Sequence, residues 1–236
     1  MSQNFAGKVA VITGGGSGIG QALGRALEAA GYTVEEAEPP HFAEVSAMQM
    51  HMVMNDMRRA GEAFMRENGD DALRKALGHY MAVSPVWDRD QYLESMTRRF
   101  NIARDWAVFF ERYPVLLMPN SWERQFPIDD DQRSAERTAQ ILLAQAPLLS
   151  TATLGLPGLS VPTGVMNGLP VGVQIVSTKF REDRMLAAGN VRPTALSPVW
   201  HAAGYALGVG TALFGAAQLG RLGGRRGPGG HQGGRS

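Results

Sequence analysis

The 236 residues are 44% apolar and 19% charged, a globular balance that excludes a disordered chain and allows one large domain or two small ones. The formal net charge of +1 excludes a global field that would select nucleic acid or a membrane surface. Cysteine is absent, which removes disulfides, thiolate metal sites and cysteine nucleophiles, and a reducing, cytoplasmic location is expected.

The opening "MSQNFAGKVAV" has no basic start followed by a long apolar run, so no secretory signal is expected. Residues 8–13, "KVAVIT", form a β-branched run that predicts a buried strand. A helix is predicted over 18–30, with Ile19, Leu23, Ala26, Leu27 and Ala30 at helical spacing and Gly31 as its stop. Between them lies "TGGGSGIG", residues 13–20. Gly14 permits a tight turn, Gly18 lets backbone approach a pyrophosphate, and Gly20 lets helix pack on strand. Gly14, Ser17, Gly18, Ile19 and Gly20 are therefore the candidate cofactor-binding residues.

A short acidic stretch, "YTVEEAEPPH", follows and ends at Pro39-Pro40. Glu35 and Glu36 would be costly as unpaired carboxylates inside a central parallel strand. From Phe42 to about Gly78 the pattern is helical, with Met50, Met54 and Met57 near one face as core filler. The strongest amphipathic helix is predicted over 90–112. Its buried stripe is Tyr92, Met96, Phe100, Ala103, Trp106 and Phe110, with Arg98, Arg99 and Arg104 pointing away. A buried strand is predicted at 115–118, and a helix over 134–146 ended by Pro147. Residues 156–177 read as two strands joined by the turn dipeptide Asn167-Gly168.

This order predicts an α/β fold, a mixed β-sheet with flanking helices. Residues 193–220 carry no Lys, Arg, Asp or Glu. They read as a loosely packed apolar helix; the membrane-associated reading is weakened by Pro198 and five glycines within 204–220. The Gly/Arg-rich residues 221–236 read as a disordered tail, solvated rather than bound to specific nucleic acid. The chain thus divides into 1–31, 32–189, 190–220 and 221–236.

Three resemblances overlie this layout. "KVAVIT" with "TGGGSGIG" resembles the start of short-chain dehydrogenases/reductases over about 6–30, and implies NAD(P) as the cofactor of the glycine turn. That family pairs a Tyr with a Lys four residues later; the lysines here are Lys8, Lys75 and Lys179, and none stands so. "AGYTVEEAEPP", "RRFNIARDWAVFFERYPVLLMPNS" and "LGLPGLSVPTGVMNGLPVGVQIVSTKFREDRML" resemble the C-terminal part of amidase signature hydrolases, over about 30–188. The resemblance implies carboxamide C–N hydrolysis by a Ser–Ser–Lys centre. Ser17 has only Lys8 upstream and no second Ser close before it, so no catalytic residue is assigned and a partner chain supplying the missing half is expected. An incomplete amidase-like domain should also expose apolar surface where that half packs. "RPTALSPVWHAAGYALGVGTALFG", 192–215, resembles demethoxyubiquinone hydroxylases, which bind two irons. The chain's Glu-x-x-His is Glu38-Pro39-Pro40-His41, whose prolines forbid the helical ligand geometry, so no metal site is expected. Three resemblances end to end suggest a truncated or chimeric, inactive amidase, with a non-catalytic NAD(P)-binding module as the alternative.

Overall fold

A computed structural model describes residues 9–12, 24–25, 27–166, 168–190 and 207–208. Among the described residues six strands form one mixed sheet in the order β2-β1-β3-β5-β4-β6. They are β1 (Val9–Ile12), β2 (Thr33–Glu35), β3 (Val115–Pro119), β4 (Gly158–Met166), β5 (Leu169–Val176) and β6 (Leu207–Gly208). β1 runs parallel to both β2 and β3; the other pairs are antiparallel.

β3 sits at the centre because "VLLM" is apolar on both faces, as a strand covered on both sides must be. Its side chains alternate between two cores. Val115 and Leu117 face Ala10, Leu27, Leu159, Val161 and Ile175, which are capped by Met185 and Ala188. The latter two lie on α7 (Glu182–Gly189), which comes so close that a Cβ on Gly189 would stand 2.7 Å from Leu159 Cδ2. Leu116, Met118 and Val176 face the second core, built from α1 (Phe42–Ala60), α4 (Arg89–Arg112) and α6 (Ala146–Leu154). Trp106 is fully buried there, and its indole N–H donates to the Pro40 carbonyl at 2.7 Å, so its polar tip is satisfied. Thr153 Oγ1 donates to the Val45 carbonyl at 2.9 Å and ties α6 to α1.

The hairpin forms as its turn dipeptide predicts, with Gly168 at φ 78° between β4 and β5. The predicted helix over 42–78 is instead α1, α2 (Glu62–Asn68) and α3 (Asp71–Ala82). The breaks fall at Gly61 and Gly69, and Asp70 starts α3 by accepting the Leu73 N–H. The predicted helix over 134–146 continues after a break. α5 (Ala135–Ala144) gives way to α6, and Pro147 opens the second helix rather than ending the first. In the first helical turn its missing N–H costs nothing.

α4 carries the predicted periodicity with a shifted stripe. Ile102, Trp106 and Phe110 are buried, whereas Phe100 is 64% exposed. Ile102 is nearly opposite Phe100 on the helix wheel, so one face cannot bury both. Arg98 does not point away: it reaches α1, as described below. Met54 is buried and Met50 and Met57 are half-buried, in keeping with their filler role. The acidic strand is corrected too. β2 lies at the sheet edge, and Glu35 accepts from Arg112 and from the Tyr113 hydroxyl, both at 3.1 Å. The segment 193–220, apart from β6, and the tail 221–236 lie outside the described residues.

Trp106→Ala should lower unfolding free energy by about 3–5 kcal/mol in urea titrations, against at most about 0.5 kcal/mol for Phe100→Gln.

Candidate functional site

The predicted phosphate turn, Gly14, Ser17, Gly18, Ile19 and Gly20, lies outside the described residues. What is described is the strand that leads to it. β1 has β2 on one side and β3 on the other, both parallel to it. Its carboxyl end is therefore a topological switch point, where open α/β sheets place ligands.

Two charged clusters join helices. Arg98 of α4 grips Glu44 of α1 through two hydrogen bonds of 2.6 Å, which hold the Glu44 carboxyl below its ordinary value. His41 lies beside this pair. Its Nδ1 is 3.1 Å from Arg98 Nη2 and its Nε2 is 3.2 Å from Asp105 Oδ2. A guanidinium can only donate, so Nδ1 accepts and Nε2–H donates to Asp105. His41 is thus engaged as a clip between α1 and α4.

The second cluster lies on α5 and the 3₁₀ turn Asp130–Gln132 before it. Asp130 is buried, accepting from Arg137 Nε at 2.8 Å and from Arg133 at 3.1 Å. The Arg137 hydrogen bond, supported by Arg133, pulls the Asp130 carboxyl below its ordinary value. Arg137 also donates to Glu123 at 2.8 Å, lowering that carboxyl as well.

Several buried hydroxyls are committed to backbone, whereas Ser84 Oγ is buried with no partner among the described residues. Ser150 donates to the Pro147 carbonyl at 3.0 Å, Thr151 to Leu148 at 2.8 Å, and Ser177 to Pro114 at 2.7 Å. Lys179 lies against Gly155, its Nζ 4.0 Å from where a Cβ would stand. Gly155 itself has φ 61° and closes α6. No Lys–Ser hydrogen bond occurs among the described residues. Among the described residues these groups form a packed wall.

That wall has unfinished polar positions. Gln174, in the middle of β5, is 2% exposed, and its Nε2 has no partner among the described residues. Asn120 Oδ1, one residue past β3, is likewise buried without a partner. Each such group costs about 1–3 kcal/mol unless something beyond these residues satisfies it. Neither was a candidate from sequence. The available signal was a lone amide inside the apolar run "LPVGVQIV".

Comparison with known proteins gives a consistent picture. The family model for Amidase matches residues 20–186, and that for Ubiquinone biosynthesis protein COQ7 matches residues 180–219. Indoleacetamide hydrolase of Bradyrhizobium japonicum is 32% identical over 163 residues, 69% of this chain and 35% of that protein. One subunit of the Glutamyl-tRNA(Gln) amidotransferase of Desulforudis audaxviator is 35% identical over 116 residues, 49% of this chain and 23% of that protein. Allophanate hydrolase of Kluyveromyces lactis has a similar fold, with TM-score 0.63 at 15% identity over 79% of this chain and 32% of that one. A crystal structure of an amidase gives TM-score 0.60 at 22% identity, over 83% of this chain and 47% of the other. The chain spans about a third of the indoleacetamide hydrolase it matches.

The Asp130 cluster sets a pH dependence. Its folded value lies below the ordinary 3.8, so the folded state binds fewer protons there. The stabilisation is complete above 3.8 and is lost as pH falls through the depressed value. Asp130→Asn should lower the urea midpoint at neutral pH and flatten its acid-side decline; an unchanged acid slope would contradict this.

Proposed function

The chain belongs to the amidase family, and on that premise we propose that it is the scaffold-side portion of a carboxamide hydrolase whose Ser–Ser–Lys centre is carried by other polypeptide. The carrying observation is the amidase match over 20–186, with the matched region spanning about a third of the indoleacetamide hydrolase. The commitment of the Ser150, Thr151 and Ser177 hydroxyls to backbone carbonyls supports it. In such a hydrolase a serine hydroxyl adds to the amide carbonyl, the amine leaves with a proton, and water cleaves the resulting ester. The described residues provide the sheet on which that centre is mounted.

The proposal extends to the origin of the chain as a chimera. The two family matches meet at 180–186, which supports a junction near there. Genomic reads and a transcript that cross the changes of resemblance near 30 and 190 in one frame would establish a real fused gene rather than a misassembly.

A second reading has its own observation. The carboxyl end of β1 at a switch point favours an NAD(P)-binding turn at Gly14–Gly20. It predicts cofactor retention in equilibrium dialysis that is lost in Gly14→Val and Gly18→Val. No retention at millimolar NAD(P) removes it.

For the first reading the expected outcome is ammonia release from indole-3-acetamide only on complementation. The chain alone should release none. Mixing it with the unmatched part of the Bradyrhizobium hydrolase, made as a separate polypeptide, should restore release. Turnover by the chain alone would overturn the reading.

A further inference from the structure

We infer that the solvent face of α4 is a self-association surface, where two copies of this chain pair antiparallel about a two-fold axis at Phe100. Nothing in this depends on the amidase reading.

α4 has 24 residues, a rod about 36 Å long. One face is fully engaged. Ile102, Trp106 and Phe110 are buried in the core, Arg98 and Asp105 hold α1 through Glu44 and His41, and the Tyr92 hydroxyl donates to Asp56 at 3.0 Å. The opposite face carries another pattern. At about 100° per residue, Arg89, Leu93, Phe100, Arg104, Ala107 and Glu111 fall within a stripe about 60° wide. All six are exposed. Leu93 is 51% and Phe100 64% exposed, and Val108, on the shoulder of the stripe, is 60% exposed. Single exposed apolar residues are ordinary, but Leu93, Phe100 and Ala107 recur at the heptad spacing of a helix–helix seam. Arg99 stands over the Phe100 ring, its Cζ 5.6 Å from the centroid, and steadies that ring at the surface.

The charges on the stripe select the occupant. Arg89 and Glu111 make no ion pair among the described residues, whereas Arg98 and Arg112 do. The stripe is symmetric about its centre. Leu93 and Ala107 each lie seven residues from Phe100, and Arg89 and Glu111 each lie eleven residues from it. A second copy turned about a two-fold axis at Phe100 therefore sets ring against ring, Leu93 against Ala107, and Arg89 against Glu111. Each of the last two contacts occurs twice. Arg104 then lies about one turn from the opposing ring, within reach of its face. A parallel copy would instead set Arg89 on Arg89 and Glu111 on Glu111. Isologous pairing requires such a self-complementary patch, and opposed charges fix its register. A single helix pair is a small interface, so the dimer should dissociate in the range of about 10–100 µM.

Sedimentation velocity of the full chain over about 1–200 µM is the test. The wild type should pass from monomer to dimer as concentration rises. Phe100→Gln should raise Kd by at least about tenfold, because it removes the central contact of both copies. Arg89→Glu and Glu111→Arg should each raise Kd by about threefold or more. Each reversal places its charge at the helix end whose dipole favours it, so the far-UV spectrum should not change. The double variant Arg89→Glu/Glu111→Arg restores opposite charges across the axis, and its Kd should return to within about twofold of the wild type. A chain that stays monomeric to about 200 µM overturns the inference. So does association beyond the dimer, a dimer unmoved by Phe100→Gln, or a double variant as weak as the single ones.

Discussion

The antiparallel pairing of β3 with β5, Leu116 opposite Val176 through Pro119 opposite Val173, is the contact on which the rest of the structure depends. It joins segments some sixty residues apart and divides the interior in two. Odd positions of β3 feed the core under α7, and even positions feed the core under α1, α4 and α6. Ser177, just past β5, locks the pair with a 2.7 Å bond to the Pro114 carbonyl. A register slip of one residue would exchange the two faces and place Gln174 in the wrong core.

From that pair the sheet grows both ways. On one side β1 enters in parallel between β3 and β2, although the amidase match begins only at residue 20. A four-residue strand rich in valine satisfies such a slot regardless of the sequence that follows it. On the other side β4 completes the hairpin and pairs with β6. The helices serve this frame: Arg98 with Glu44 and His41 sets α4 against α1, and Arg137 with Asp130 fixes the entry to α5. These charged groups are positioned by and for packing. The proposed amidase role therefore rests on family membership, with Asn120 and Gln174 as buried polar groups lacking partners among the described residues.

Much of this was legible in residue pattern. The hairpin was visible because Asn167-Gly168 separates two apolar runs, and β3 because four apolar residues sit between prolines. The misreadings share a cause: they depend on contacts distant in sequence. Phe100 and Ile102 are both apolar, and only the position of β3 and α1 selects Ile102 for burial. Pro147 reads equally as a stop or a first-turn residue until α6 is seen to pack on α1. Glu35 looked costly in a central strand, but an edge position and Arg112 remove the difficulty. Gln174 was passed over because an amide in an apolar run carries meaning only once its partners on the sheet are known. The glycine turn, conspicuous in sequence, lies outside the described residues.

The central claim is that the serine nucleophile of any complemented activity belongs to the other polypeptide. The most direct measurement is fluorophosphonate labelling of the complemented assembly, with the modified residue located by mass spectrometry. The account predicts label on the added polypeptide and none on this chain. A labelled serine within these 236 residues, Ser17 included, would contradict it.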